Sequence, residues 1–411
     1  MRHFLPFHRA TGWLAAVTLS FSISVHAQPG DNAMRTALEA ARSQQWERID
    51  TAAIAGHVLE SYVEYHRLRS RLPLVEPGQV LDFIERHQDS PLGEWLRGQA
   101  IAQYGDAGRY HHLLAVADGE PSGTARQCHY YTALYHQDPA AAAVGGRALW
   151  HVGHSQPAAC DTLFDRLRAS GEISEVDIWE RKMLAWQQGE TGLASYLNRL
   201  LGNRWQTGID AVEQLQRNYA DITRIPTCIG PECLGSGPLF VAAMHGFIRA
   251  DTEAAMEAWR KIAPHLPIEQ HHLHTIEEEL AFYSLVRGVE HNLGWVDETL
   301  PRVGTSRVVE LRIRHALAQR DWQGVLHWFD YLAPEDQGES RWQYWKARAH
   351  EQLGNSERAN VAYALAAQGR NFFGFAAADR IGRTYSLNLE RVHIDTALRD
   401  AVAQWPAVQR T

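Results

Sequence analysis

Alternation of apolar and polar residues, the mark of a half-buried strand, is nearly missing from this sequence: no period-2 run stands between turn residues. A sheet-based fold is therefore excluded. Clusters of Lys and Arg are also missing, and a net charge of -8 argues against a broad nucleic-acid footprint. Beyond the first 25 or so residues no apolar run approaches the roughly 20 residues needed to cross a bilayer, so no stable membrane insertion is expected. The sequence also lacks a G-x-S-x-G elbow, a phosphate loop, an H-E-x-x-H helix and a dinucleotide fingerprint, which leaves no standard template for a catalytic or cofactor site.

Cysteine is scarce, with 4 among 411 residues. The N-terminus gives their context. Arg2, His3, His8 and Arg9 form a basic stretch, Trp13 to Val25 is apolar, and Val25-His26-Ala27 fits a small-residue cleavage site. Residues 1–27 therefore read as a signal peptide and the mature chain as exported. An even number of cysteines in an exported chain favours disulfides over free thiols. Cys228-Ile-Gly-Pro-Glu-Cys233 closes a short loop that suits a local bridge, which would leave Cys128 to Cys160. Four cysteines allow three pairings, and sequence alone does not choose among them. The 22 histidines are not interleaved with cysteine at zinc-finger spacing. Their densest cluster, His271, His272 and His274, reads as a helix start on a solvated face, so no metal is expected.

What the chain has in abundance is helical periodicity. Val58, Tyr62, Tyr65 and Leu68 form one apolar stripe, and Leu193, Tyr196, Leu197 and Leu200 another. A unit of helix, tight polar break and second helix recurs without fixed period at Ile101 to Val116, Phe247 to Ile262, Leu317 to Leu332 and His350 to Ala367. Asp106, Asp251, Asp321 and the Asn355-Ser356 pair stand where a side-chain oxygen can cap the second helix. Small residues such as Ala254, Ala255, Ala359 and Ala362 allow close approach, and Trp259, Trp328, Trp345 and Tyr363 fill the gaps between pairs. One helix pair cannot bury its apolar face alone and must stack on its neighbours. The expected fold is all-α, an irregular α-superhelix built as a solenoid of helix pairs. Wider breaks are expected at Gly119 to Thr124, Ile225 to Pro238 and Pro301 to Thr305.

Several segments resemble one known family. Ser61-Tyr62-Val63-Glu64-Tyr65-His66-Arg67-Leu68 is similar to a YLEYRQL helix, and Asp89-Ser90-Pro91-Leu92-Gly93-Glu94-Trp95-Leu96-Arg97 to a DSPLAERLR segment. Cys128-His129-Tyr130-Tyr131-Thr132-Ala133 and Ser155-Gln156-Pro157-Ala158-Ala159-Cys160-Asp161-Thr162-Leu163-Phe164 resemble C-x-Y-x-A and SQPKACDPLF, with Trp179-Glu180-Arg181 continuing in register. Trp342-Gln343-Tyr344-Trp345-Lys346-Ala347-Arg348-Ala349 and Asn371-Phe372-Phe373-Gly374-Phe375-Ala376-Ala377-Ala378-Asp379-Arg380-Ile381-Gly382 resemble WRYWRARAL and YYGFLAADRLG. These are motifs of the soluble lytic murein transglycosylases of the bacterial periplasm. The resemblance implies a ring-like superhelical U-domain over 28–370, and over 371–411 the start of a helical linker domain that is truncated.

In that family a lysozyme-like domain cleaves the MurNAc-GlcNAc bond with one Glu in an E-S-x-F or E-S-x-W context, followed by GLMQ-like sequence. Here Glu60-Ser61-Tyr62 and Glu339-Ser340-Arg341 are the only Glu-Ser pairs, both inside superhelix matches, and no GLMQ-like segment follows either. No catalytic residue is assigned, and the chain as given is expected to be inactive alone. The resemblance implies peptidoglycan glycan strands as partner, a periplasmic location, and a separate catalytic or cell-wall protein as a further partner. The rival reading is a free-standing periplasmic solenoid adaptor that binds a peptide or protein in its concave groove.

Overall fold

The computed structural model describes residues 30–390 and 395–410. The expected signal peptide, 1–27, lies outside them. Among the described residues every regular element is helical, with twenty-four α-helices, seven short 3-10 turns and no strand. The fold is all-α and superhelical, as the periodicity predicts.

Most helices pack on helices one to three places along the chain. Glu60–Arg71 lies on Leu92–Asp106, which lies on Thr124–Leu134; further along, Glu175–Gln187, Ser236–Ala250, Gln270–Val286 and Ser306–Gln319 form a second continuous stack. Ser340–Gln352, Ser356–Ala366 and Phe372–Ile381 form the last unit, sharing a core of Ala347, Ala359, Ala362, Tyr363, Ala377 and Ala378. Among the described residues the buried apolar side chains divide into six clusters along the chain rather than one centre. That is the packing of a quasi-one-dimensional stack, in which each unit buries its face only on adjacent units.

The largest cluster shows how the middle break is accommodated. Trp179 and Trp205 are fully buried and stacked with ring centroids 5.1 Å apart. Their indole N–H groups donate to Gly235 O and Glu175 Oε2, both at 2.9 Å, so neither ring buries an unsatisfied donor. The loop from Thr227 to Gly235 lies over this pair. Ile229 is buried and donates its N–H to Ser236 Oγ at 2.9 Å, and the same hydroxyl donates to Thr227 O at 2.7 Å. Gly230 has φ 45° and a Cβ there would meet the Trp205 ring at 2.2 Å, so this position needs glycine on two counts. Disulfides join Cys228 to Cys233 within the loop, and Cys128 to Cys160 between Thr124–Leu134 and the short turn Ala158–Cys160.

Some local expectations need correction. Asp251 and Asp321 do cap, accepting from Ala254 N at 3.0 Å and Gly324 N at 2.9 Å. Asp106 does not: it ends its own helix, the next helix begins only at Tyr110, and the Asp106 carboxylate lies 3.0 Å from His129 Nε2. Asn355 occupies an N-cap position without a side-chain cap bond. Pro301 lies inside the helix Leu293–Val303, so that break opens at Gly304. Val58 precedes the helix Glu60–Arg71, whose buried face is Val63, Tyr65 and Leu68. Trp259, Trp328 and Tyr363 are buried between helices as expected, while Trp345 is only half-buried.

Candidate functional site

Two clefts open on the N-terminal part of the superhelix. The first is shaped by the break at Gly119 to Thr124. The helix Leu92–Asp106 buries Leu92, Leu96, Ala100, Ile101 and Tyr104 and turns Glu94 and Trp95 outward. Opposite them runs the loop carrying Asp118, Glu120 and Ser122, and between lies a cleft of about 570 Å³. Trp95 is 53% exposed although Leu92, Gly93 and Leu96 beside it in the helix are buried. Tyr65 meets it edge-on, centroids 6.4 Å apart at 66°, which holds the indole upright.

The polar rim of this cleft is held in place from behind. Arg97 donates to Glu94 Oε1 at 3.1 Å and to Val116 O at 2.5 Å. Gln127 donates to Glu120 Oε1 at 2.7 Å. Burial, aided by a hydrogen bond to Glu120, pushes the Tyr131 hydroxyl up to about 12, so it stays a donor. The result is one exposed indole face in a cleft also lined by the carboxylates of Glu94, Asp118 and Glu120, the guanidiniums of Arg97 and Arg126 and the Ser122 hydroxyl, an arrangement able to stack a planar or pyranose ring and hydrogen-bond its edge. Trp95 stands where the resembled DSPLAERLR segment has arginine. Nothing in the sequence distinguished it from the other tryptophans, because helical spacing alone does not tell a packing Trp from an exposed one.

The second cleft, about 670 Å³, lies where the C-terminal residues return to the N-terminal helices, and Arg67, Arg71, Arg86, His87, Asp89 and Arg410 line it. Arg86 donates to Glu64 Oε1 at 2.6 Å and to Asp82 Oδ2 at 3.1 Å. The hydrogen bond from Arg86 holds the Glu64 carboxyl below its usual range.

Neither glutamate of the two Glu-Ser pairs is buried. Glu60 is exposed at the start of its helix and accepts from Gly56 N at 2.8 Å; Glu339 is an exposed N-cap residue ion-paired with Arg341. The carboxyl pushed upward is one that sequence reasoning passed over, Glu180. Burial is the main cause, opposed by His151 3.6 Å away. Its pocket, shared with Met183, Pro238, His271 and His272, measures about 190 Å³, below the roughly 300 Å³ at which ligand sites begin. The His271 and His272 rings lie tilted against each other, centroids 3.8 Å apart, at the start of Gln270–Val286, and among the described residues no three His, Cys, Asp or Glu side chains are grouped to hold a metal ion. Among the described residues, no helix is long and apolar enough to cross a membrane.

Fold and clefts together define an α-superhelical protein with aromatic and charged clefts between its helix pairs. No protein-family model matches the chain. The sequence is nevertheless 26% identical over 344 residues, 83% of this chain and 53% of the relative, to the soluble lytic murein transglycosylase of Escherichia coli strain K12. The chain thus spans about half the length of the curated relatives it matches. Among solved structures, an inactive mutant of lytic transglycosylase Slt from Pseudomonas aeruginosa superposes with TM-score 0.80 at 26% identity, covering 92% of this chain and 62% of that one. The 70 kDa soluble lytic transglycosylase from Escherichia coli gives TM-score 0.73 at 24% identity, covering 93% and 62%. The resemblance read from the motifs therefore extends over most of the sequence and of the fold.

Proposed function

We propose that this superhelix binds peptidoglycan glycan strands as the non-catalytic part of a soluble lytic murein transglycosylase system, positioning them for a catalytic domain that cleaves the MurNAc-GlcNAc bond. The observation that carries this reading is the Trp95 cleft: an exposed indole, ringed by fixed hydrogen-bonding groups, in a chain similar to named lytic transglycosylases over 83% of its length. A sugar ring offers an apolar face to the indole and hydroxyls to Glu94, Arg97 and Glu120. Export to the periplasm belongs to the same proposal. The disulfides support it, because such bonds persist in oxidising compartments.

The test is co-sedimentation of the purified chain with insoluble, protein-free peptidoglycan sacculi. Binding is expected, and Trp95→Ala is expected to weaken it about tenfold, or about 1.4 kcal/mol, without changing the melting temperature, since the ring is exposed. Failure of the unaltered chain to sediment would turn the assignment toward a peptide- or protein-binding adaptor.

A further inference from the structure

A second built pocket lies in the middle of the stack and centres on Arg181. This residue is only 3% exposed. Its guanidinium lies 4.3 Å from the Trp150 ring centroid and 5.3 Å from that of Phe164. The one hydrogen bond that engages it is long, Nη2 donating to His154 O at 3.3 Å, and its buried Nε has no acceptor. Among the described residues no carboxylate forms an ion pair with it, and burial pushes it down to about 10. Two aromatic faces account for how the side chain packs. They do not neutralise it, and a buried cation without a counter-charge is costly unless something else supplies one.

The geometry supplies the access. Arg181 lines a pocket of about 410 Å³ whose walls are Trp150, Phe164, Leu193 and Tyr196, with Gln156 and Asp161 also lining it. Tyr196 is 40% exposed, although helical spacing places it in an apolar stripe. Trp150 is fixed by donating its N–H to Asp177 O at 3.1 Å, and Gln156 by donating to Leu149 O at 2.9 Å. Asp161 and Asp165 also line the pocket but are exposed, and Asp165 is engaged by Arg168 at 2.5 Å. A ligand must therefore be anionic where it reaches Arg181 and neutral or cationic where it passes the two aspartates.

We propose that this pocket binds a single carboxylate carried on a compact, otherwise uncharged or cationic body, with Arg181 as the counter-ion and Tyr196 as the wall. Arginine suits the task because its planar fork donates to both oxygens of a carboxylate, and both partners are stabilised when water is excluded. The proposal rests on the peptidoglycan reading for the source of the ligand: either the lactyl carboxylate of an N-acetylmuramic acid that carries no stem peptide or the free C-terminus of a peptide.

Saturation-transfer NMR with N-acetylmuramic acid, D-alanyl-D-alanine and N-acetylglucosamine separates these cases. At least one carboxylate probe is expected to bind, and which one does identifies the source; N-acetylglucosamine, lacking the carboxylate, is expected not to. Arg181→Gln should weaken binding at least tenfold. Should that variant fold poorly, Gly192→Phe gives an independent route: a Cβ there meets nothing within 4 Å and the residue lines the pocket, so the added ring should fill the pocket and abolish binding with Arg181 intact. Equal behaviour of carboxylate and carboxylate-free probes, or binding unaffected by Gly192→Phe, overturns the proposal. Sacculus co-sedimentation in parallel keeps the two readings apart. Sedimentation without probe binding removes only the Arg181 site; Arg181-dependent probe binding without sedimentation removes only the glycan-strand reading.

Discussion

Arg410 donates to both the backbone oxygen and the carboxylate of Asp89, at 2.6 and 2.9 Å, across 321 residues of sequence. The arginine side chain is almost covered, at 11% exposure, while that of Asp89 is 44% exposed. A stack of helix pairs makes contacts only between neighbours, so this bond joins parts of the chain that the packing of adjacent units leaves independent. With one partner this exposed, solvent screening limits the pair to about 1 kcal/mol or less. Its effect is on shape more than on stability. Asp89→Lys is expected to release the C-terminal residues, and Asp89→Lys with Arg410→Glu to restore them. A distance label on each end, read by double electron-electron resonance, should broaden in the single variant and narrow again in the double; unchanged distributions would show that the contact does not hold the two ends together.

The two disulfides are expected to differ in worth. Closing a loop constrains the unfolded chain more as the loop lengthens. The separation of 32 between Cys128 and Cys160 corresponds to about 4 kcal/mol in the chain-entropy model, and the separation of 5 between Cys228 and Cys233 to about 2 kcal/mol. Replacing each pair by alanine and comparing urea midpoints checks the order. A larger loss from the short loop would mean that its packing over Trp205, rather than chain entropy, is what the bridge secures.

The architecture was legible because it depends on local pattern. The 3.6-residue periodicity, the small residues between helices and caps such as Asp251 and Asp321 act within one or two turns of the chain. Asp106 shows where that legibility ends. Its helix stops on it and Gly108, at φ 67°, turns the chain before Tyr110, so the carboxylate is carried to His129 instead. The clefts were hidden for a related reason. Whether Trp95 faces solvent, or Arg181 lacks a counter-ion, is decided by which helices stack on theirs, and a single sequence records neither. Glu180 was passed over because no motif marks a carboxyl whose range is shifted by burial.

Gly374 stands in the aromatic block at the start of Phe372–Ile381, where a Cβ would meet Gly369 O at 1.9 Å and Ala366 O at 3.1 Å. Both obstacles are backbone atoms, so no rotamer change relieves them. Its own N–H donates to the capping Asn371 Oδ1 at 3.0 Å, which pins the residue in this position. Gly374→Ala is expected to destabilise the last unit by about 1–3 kcal/mol, the usual range for overpacking, and Gly374→Leu by more. Hydrogen exchange should show faster opening in Ser356–Ala366 and Phe372–Ile381 with little change in the central stack. Uniform loss of protection along the chain would contradict the division into separate apolar clusters.

Acid is expected to weaken the protein through three of its buried and half-buried histidines. His66, His272 and His350 are each held below the usual histidine range, chiefly by burial, with nearby cations or a second histidine adding to it. A histidine whose folded-state value is lowered binds fewer protons folded than unfolded. Stability therefore rises with pH through the window just below 6.5 and is lost as pH falls through it. Glu180 has the opposite sign: its raised carboxyl binds more protons folded, so its contribution declines as pH climbs above the ordinary glutamate value of 4.5. Thermal melts between pH 5 and 7.5 (roughly the span in which histidine titrates) should show the melting temperature climbing with pH. His350→Phe should flatten that climb, since the ring is 8% exposed and its Nδ1 has no hydrogen-bond partner to lose. Glu180→Gln should raise the whole curve near neutrality without changing its slope there. A slope unaltered by His350→Phe would move the pH dependence to the other two histidines.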